Sequence, residues 1–183
     1  YGEREREVIR DAVTRYGEYA GHLFIAEGVG DIGVTAIRER IARHIDMTGK
    51  TPLVIVDYLQ IVAPYNERAT DKQNMDKAVL ELKRISRDFK LPVIAVSSLN
   101  RMSYGQRISM EAFKESGAIE YSSDVLIGLQ LRGAGEATFD PTEAKKKNPR
   151  QIEAVILKNR NGCVGEKIEF EYYPMFNYFT EKG

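Results

Sequence analysis

The stretch Pro52-Leu53-Val54-Ile55-Val56-Asp57-Tyr58-Leu59-Gln60 is the part of this sequence that most constrains the fold. Its centre is an apolar run, mostly β-branched, that leads directly into an aspartate. A continuous apolar run of this length predicts a strand buried on both faces, as in a parallel sheet. Asp57 would then stand at the carboxyl end of the strand, where open α/β sheets bind ligands. Such an acid either holds a magnesium ion beside a nucleotide phosphate or merely caps the strand or starts a turn.

The composition excludes several classes of protein. The 183 residues suit one domain that can bury a real core. With 27 basic and 27 acidic residues there is no broad basic field, so any contact with nucleic acid must come from local placement of charge. Cys163 is the only cysteine, which excludes an intrachain disulfide and a zinc cluster built from cysteines. No apolar run approaches the roughly 18 residues of a membrane span, so we expect a soluble cytoplasmic protein.

Hydrophobic periodicity predicts helices that alternate with strands, followed by a β-hairpin. The expected helices cover residues 3–20, 34–49, 74–90 and 109–115, and a further short helix begins at Pro141 after Asp140. The expected strands cover residues 22–26, 52–57, 92–97, 124–131, 151–158, 166–173 and 176–179, with a turn signal at Asn161-Gly162. Residues 63–73 are expected to form a loop. This order predicts an α/β fold: a mainly parallel sheet flanked by helices, with a C-terminal antiparallel β-hairpin.

We expect these elements to form one domain over residues 1–183. Its parts are a leading helix (1–21), an α/β core (22–131), an irregular insert (132–150) and a β-hairpin region (151–183). The insert contains the basic run Lys145-Lys146-Lys147, which is either a solvated face or a local contact with DNA.

The glycines at 28, 30 and 33 offer a competing interpretation. They match G-x-G-x-x-G between an expected strand and an expected helix, and Asp57 ends the next strand. That order is similar to a dinucleotide-binding unit, in which the acid contacts a ribose hydroxyl. Gly33 can equally be the N-cap of the helix. Glu27 and Asp31 would also place negative charge beside a pyrophosphate, which disfavours an oxidoreductase.

Four segments carry motifs that belong together: 53–60, 93–101 (Val-Ile-Ala-Val-Ser-Ser-Leu-Asn-Arg), 113–124 (Phe-Lys-Glu-Ser-Gly-Ala-Ile-Glu-Tyr-Ser-Ser-Asp) and 157–162 (Leu-Lys-Asn-Arg-Asn-Gly). In this order they resemble the Walker B strand, the sensor strand, the DNA-contacting loop with its following strand, and the finger-bearing hairpin of DnaB-family replicative DNA helicases. The resemblance extends over about residues 22–180. It points to a DnaB-like branch of plasmid, phage or host-encoded ATPases, and it implies the RecA-like fold of the helicase C-terminal ATPase domain.

The resemblance implies a role for each of the first two motifs. Asp57 would orient Mg²⁺ on the β- and γ-phosphates of ATP, and phosphoryl transfer rests mainly on such positioning and charge neutralisation. Ser97 and Ser98 would lie next to the γ-phosphate. Ser98 departs from the family, which usually has a glutamine at this sensor position. Because serine is too short to reach the same point without water, the usual link between γ-phosphate and DNA loop is in doubt.

The last two motifs would act on a neighbouring subunit and on DNA. Lys158 and Arg160 alternate at a strand end and would project from one face into the neighbour's ATP site, where an arginine finger contributes roughly 10³–10⁵ in rate. Without the other motifs, we would interpret the two residues as a solvent-exposed pair at the open end of a hairpin. Lys114, Glu115 and Gly117 match the DNA loop, and Gly117 would let the backbone approach a phosphate. Gly117 can also simply end a helix, and the two roles are compatible. Arg101 is a weaker candidate for the same DNA channel.

No G-x-x-x-x-G-K-[ST] motif occurs in these residues, and the chain begins with Tyr1. By resemblance, the P-loop, the strand before it and the glutamate that activates water would lie upstream. We therefore expect a piece of a helicase ATPase domain that does not hydrolyse ATP alone and whose sheet has an uncovered flank.

The resemblance implies part of an enzyme that couples ATP hydrolysis to translocation on single-stranded DNA and to duplex unwinding. Its cofactors would be ATP and Mg²⁺. Its partners would be single-stranded DNA, further copies of itself in a hexameric ring, and replication proteins such as primase or a loader. A non-catalytic RecA-like module for DNA binding or ring assembly is the main alternative, and a dinucleotide-binding oxidoreductase is the other.

Overall fold

A computed structural model describes residues 2–28, 31–100, 105–113 and 117–182. The α-helices are α1 (Glu3–Ala20), α2 (Val34–Thr48), α3 (Asp71–Phe89), α4 (Gly117–Ser122) and α5 (Pro141–Lys146). The strands are β1 (Val54–Val56), β2 (Val93–Ala95), β3 (Val125–Leu131), β4 (Arg150–Asn159), β5 (Lys167–Tyr173) and β6 (Tyr178–Glu181). Two short 3₁₀ helices cover Leu59–Ile61 and Met110–Phe113.

Most helix ends follow the capping residues in the sequence. The second helix ends at Gly49, whose φ of 68° is easily reached only without a Cβ. The short helix α5 begins as predicted, because the Asp140 carboxylate accepts main-chain N–H bonds from Thr142 and Glu143. The loop predicted for residues 63–73 is too long by three residues. A reciprocal pair of bonds between Thr70 and Gln73 forms a capping box, so α3 begins at Asp71.

The strands β1 and β2 form a parallel pair, with Val54 opposite Val93 and Val56 opposite Ala95. Burial of this pair on both faces was predicted, and that prediction is wrong for the described residues. One face contacts the helices, but the other exposes large apolar side chains: Leu53 (55%), Ile55 (62%), Ile94 (50%) and Val96 (43%). The reason is that helix packing from the described chain covers only the first face.

The other four strands form an antiparallel sheet in the order β3-β4-β5-β6. The predicted hairpin corresponds to β4 and β5, and the last predicted strand corresponds to β6. The α/β class is therefore confirmed. Parallel pairing in the described residues is confined to β1 and β2, because β3 pairs with β4 of the C-terminal region.

The strand predicted for residues 22–26 is wrong. These residues have no regular secondary structure and pair with no strand of the described chain. Phe24 packs edge-on against His44 of α2, with ring centroids 4.8 Å apart, yet it remains 68% exposed. An apolar run becomes a strand only when a neighbouring strand satisfies its backbone groups, and here none does.

A hydrophobic cluster joins α2, α3 and α4 to both sheets. Its most buried member is Ile85 of α3, which is 1% exposed. The helix α1 matches the prediction for residues 3–20 in its bounds, but it contributes no buried residue. None of the described helices is long and apolar enough to cross a membrane.

A β-bulge interrupts the pairing of β3 with β4. Leu126 lies opposite Lys158, whereas Ile127 lies opposite Ile156, so Leu157 is the extra residue. Bulges of this kind bend a strand and redirect the side chains that follow. The segment that carries Lys158 is therefore turned relative to the rest of β4.

Gly128 of β3 lets Ile108 pack closely onto this part of the sheet. A Cβ at Gly128 would lie 2.3 Å from Ile108 Cδ1 and 3.1 Å from Leu157 Cδ1. Ile108 is buried, so it has little room to move away. The constraint at this glycine is contact, since its φ is not in the positive range.

Gly128→Ala is expected to lower the free energy of unfolding by about 1–3 kcal/mol, the usual cost of overpacking a core. Chemical denaturation of the purified chain measures it. Gly105→Ala is the matched control, because a Cβ there would have no neighbour within 4 Å. Equal stability of the two variants would show that Ile108 does not pack against Gly128 as described.

Candidate functional site

Asp57 lies at the carboxyl end of β1, as the sequence predicted. The Val96 N–H donates to the Val56 carbonyl at 2.9 Å, and the Leu59 N–H donates to the Val96 carbonyl at 2.9 Å. Main-chain bonds to the neighbouring segment thus lie on both sides of Asp57, which remains exposed. This arrangement presents a carboxylate to solvent from a fixed strand end.

Gln60 joins the end of β1 to the residues that follow β2. Its side-chain Nε2 donates to Ser97 Oγ at 3.0 Å and to the Ser98 carbonyl at 3.3 Å, and its Oε1 accepts from the Ser98 N–H at 3.3 Å. The structure therefore brings Asp57, Ser97 and Ser98 to one edge, with Gln60 between them. Gln60 stands in the first motif of the sequence, but no role was predicted for it. The signal that could have found it is the departure at Ser98, which leaves room for an amide from elsewhere.

An open groove of about 600 Å³ lies beside these strand ends. Apolar side chains, including the buried ring of Phe113, make up much of its lining. The polar residues that line it include Gln60, Asp71, Lys72, Ser98 and Asn100. Phe113 is the residue directly before segment 114–116. The groove therefore links the sensor residues to the place where the predicted DNA loop begins.

Lys158 and Arg160 both contact the carboxyl end of α4. The Lys158 Nζ donates to the Glu120 carbonyl at 2.5 Å, and the Arg160 Nη2 donates to the Tyr121 carbonyl at 2.9 Å. Cations are favoured at this end of a helix because its last carbonyls lack partners within the helix. The two side chains therefore both reach the end of α4, and they bind their own chain.

Asp124 holds the same cluster together. Its carboxylate accepts from Lys83 Nζ at 2.5 Å and lies 3.4 Å from Arg160 Nη1. The hydrogen bond from Lys83 is the largest influence on the pKa of the Asp124 carboxyl and lowers it below its ordinary value. Partial burial raises that pKa, while the charges of Arg160 and Lys158 lower it further. No role was predicted for Asp124 or Lys83, which are 41 positions apart.

Gly117 was considered as the end of a helix, and that alternative is wrong. It is the first residue of α4, and the next main-chain N–H, of Ala118, donates to Asp76 Oδ1 at 3.4 Å. A Cβ at Gly117 would meet only the Tyr121 ring, at 3.8 Å. The other predicted DNA-contacting residues, Arg101, Lys114 and Glu115, lie outside the described residues.

The donors at this edge suit a magnesium ion better than a transition metal. Within residues 2–28, 31–100, 105–113 and 117–182, no group of three or more His, Cys, Asp and Glu could hold a metal. Asp57 and Ser97 offer hard oxygen atoms, and magnesium commonly takes one or two carboxylates while water and phosphate fill its other positions. The exposure of Asp57 leaves space for those other ligands.

The described residues lack the strand that a dinucleotide-binding unit requires. Such a unit needs a strand before the glycines, and residues 22–28 form none. Gly33 is the N-cap of α2, the ordinary role considered for it. Val29 and Gly30 lie outside the described residues.

Comparison with known proteins decides the family. A family model described as the DnaB-like helicase C-terminal domain matches residues 3–181. The chain belongs to this family. Its curated relatives include a probable replicative DNA helicase of Trieres chinensis, 25% identical over 165 residues, and the replicative DNA helicase DnaC of Bacillus subtilis, 29% identical over 153 residues. The matches cover 86% and 81% of this chain.

Two solved structures share the fold. One is described as an ATPase domain, with a TM-score of 0.69 over 83% of this chain and 52% of that one. The other is a DnaB-like replicative helicase described with its interactions with primase, with a TM-score of 0.67 over 81% of this chain and 36% of that one. Both are 23% identical to this chain. The chain spans about a third of the length of the curated relatives named above (35% and 32%).

Gln60→Ala is expected to raise the amide hydrogen exchange of Ser98 about fivefold, because one hydrogen bond contributes roughly 1 kcal/mol. Hydrogen exchange followed by NMR measures it, with the Leu59 amide as an internal reference. Gln60→Glu is the matched control, since it keeps an acceptor oxygen for Ser98 while it loses the donor and adds a negative charge. Equal exchange at Ser98 in all three proteins would contradict the bridging role of Gln60.

Proposed function

We propose that this chain is part of a DnaB-like replicative DNA helicase and supplies part of its magnesium–ATP site. The observation that carries the proposal is the placement of Asp57 and Ser97 at the ends of two hydrogen-bonded parallel strands. Residues at such ends meet a ligand from one direction. Membership of the DnaB-like family supports ATP as that ligand.

Asp57 would bind magnesium and Ser97 would lie beside the γ-phosphate. Magnesium, when bound, neutralises charge on the phosphates. The protein side of this chemistry is positioning: Gln60 holds Ser97 and Ser98 relative to the strand that carries Asp57. Ser98 would reach the γ-phosphate only through water, so the Gln60 amide is the better candidate to sense what occupies this edge.

Lys158 and Arg160 would act on the nucleotide of an adjoining copy. Lys158 lies on β4 and Arg160 directly follows the last residue of that strand, with Leu157 as the bulge residue that turns this segment of β4. A guanidinium at a γ-phosphate stabilises charge in the transition state. The proposal therefore requires assembly, and a hexameric ring is the form that the family suggests.

Single-stranded DNA would be held by Lys114, Glu115 and Gly117, with Arg101 as a further contact. The described neighbours support this placement, because Phe113 lines the groove beside Ser98 and α4 begins at Gly117. The main chain of a glycine, which has no side chain in the way, and one lysine can bind phosphate without contacting the bases. Repetition around a ring would strengthen a weak contact through effective concentration.

The wider setting follows from the same proposal. The protein would translocate on single-stranded DNA and unwind duplex in the cytoplasm, with primase or a loader as partners. We also propose that residues 1–183 form one domain with the parts 1–21, 22–131, 132–150 and 151–183. The core cluster that runs from α2 to β4 supports a common core.

A non-catalytic module of the same fold is the second candidate. Ser98 at the sensor position favours it, because the direct glutamine contact is lost. Such a module would bind single-stranded DNA or assemble rings without turnover. The following experiment separates the two candidates.

In a form of the protein that carries a P-loop, Asp57→Asn is expected to lower magnesium-dependent ATP turnover about 100-fold, since charge stabilisation at the phosphates is lost. A coupled phosphate-release assay measures it. Asp46→Asn, which neutralises an exposed acid on α2, is the matched control and should change turnover less than about twofold. Lack of turnover in the parent protein would favour the non-catalytic module.

The chain by itself is expected not to hydrolyse ATP, because its 183 residues contain no P-loop motif. The same assay applies to the purified chain. Magnesium-dependent hydrolysis that survives Asp57→Ala would contradict both this expectation and the role of Asp57.

Lys114→Ala is expected to weaken binding of a 20-nucleotide single strand about threefold, equally for dT and dC oligonucleotides, because the contact is to phosphate. Fluorescence anisotropy at several salt concentrations measures it, and the logarithmic salt slope should fall by about 0.7. Lys50→Ala, which removes an exposed lysine after α2, is the control. An equal loss in both variants would argue against a dedicated contact at Lys114.

A further inference from the structure

Four charged side chains meet where the end of β4 approaches the carboxyl end of α4. Asp124 accepts from Lys83 at 2.5 Å and lies 3.4 Å from the Arg160 guanidinium. The Arg160 main-chain N–H also donates to the Asp124 carbonyl, at 2.9 Å. Lys158 lies beside them and lowers the pKa of the Asp124 carboxyl through its charge. One carboxylate therefore faces three cations.

Lys158 and Arg160 each donate a side-chain hydrogen bond within their own chain. Lys158 donates to the Glu120 carbonyl and Arg160 to the Tyr121 carbonyl, in the last turn of α4. These bonds also tie both cations to the helix that follows residues 114–116. A phosphate of another copy that drew the Arg160 guanidinium away from α4 would exchange its contacts with Asp124 and Tyr121 for new ones.

We propose that Asp124 is a positioning residue that holds Arg160 against α4 of its own subunit, in competition with the phosphate chain of a nucleotide bound by an adjoining copy. This inference rests on the proposed function, which places Arg160 at that nucleotide. Asp124 itself touches no substrate. Its effect is on how readily Arg160 leaves its own subunit.

Lys83 weakens the contact between Asp124 and Arg160, so that this contact is easily exchanged. It takes the shorter bond to Asp124, so Arg160 shares a carboxylate that is already paired. The side chains of Asp124 and Arg160 are 54% and 50% exposed, and exposed ion pairs are weak and easily exchanged. A triphosphate carries several negative oxygens and competes well against one shared carboxylate.

The test uses the purified chain and inorganic tripolyphosphate as the probe, without magnesium. Asp124→Asn is expected to tighten tripolyphosphate binding about threefold to fivefold, the scale of an exposed ion pair. Isothermal titration measures the affinity, and the NMR resonance of the Arg160 side-chain Nε–H reports on the site. The double variant Asp124→Asn with Arg160→Gln should lose the gain.

Glu120→Gln is the matched control for loss of charge. It removes one negative charge from the same turn of α4, and the bond from Lys158 survives because it goes to the Glu120 main-chain oxygen. We expect Glu120→Gln to tighten binding less than about 1.5-fold through long-range electrostatics alone. A merely structural role of Asp124 would weaken binding or leave it unchanged.

The outcomes separate this inference from the proposed function. If Asp124→Asn tightens binding no more than Glu120→Gln while binding still requires Arg160, the inference is overturned and the role of Arg160 stands. If tripolyphosphate shifts the Arg160 resonance in no variant, both the inference and the role of Arg160 at a nucleotide are overturned.

A measurement on the unaltered chain keeps the test independent of folding of the variants. The charged groups that face Asp124 are Lys83, Lys158 and Arg160, and they keep its pKa below the ordinary range of an aspartate. As pH falls through that lowered pKa, the carboxylate becomes neutral and its ion pair with Arg160 is lost. The Arg160 Nε resonance should therefore move with the titration of Asp124. A resonance that does not respond over this interval would overturn the inference.

Discussion

The hydrogen bonds between the first two strands are the constraint on which the candidate site depends. Main-chain bonds join Val56 and Leu59 to Val96, one on each side of Asp57, so the carboxylate leaves the sheet at a fixed point. Gln60 then holds the residues that follow β2 against this strand end through its amide. Without the parallel register, Asp57 would be an isolated acid and the serines a separate turn.

A second group of contacts connects the two sheets to each other. Helix α4 contacts α3 at its start through Asp76 and contacts β4 at its end through Lys158 and Arg160. Asp124 follows α4 and binds Lys83 of α3. Helix α4 is therefore bonded at both ends, and under the proposed function it is the element that connects the DNA contact with the neighbour's nucleotide.

Local signals in the sequence predicted what local physics controls. Gly49, Asp140 and the run that ends in Asp57 act on their own neighbours, so the element each begins or ends was found. Contacts between distant residues were missed, because the sequence around Gln60 or Asp124 does not indicate a hydrogen-bond partner some 40 positions away. The predictions of a strand at 22–26 and of burial on both faces of β1 were wrong for a related reason. Hydrophobicity indicates that a surface tends to be buried, but it does not show which element packs against that surface.

The central claim is that Asp57 and Arg160 serve one ATP site from two adjoining copies. Mixing Asp57→Ala and Arg160→Ala subunits of a P-loop-containing form tests it most directly, since each variant alone is expected to turn over little ATP. In a randomly mixed ring on the order of a quarter of the sites combine an intact Asp57 with an intact neighbouring Arg160, so ATP turnover should recover to about that fraction. Turnover no greater than the average of the two separate variants would contradict the claim.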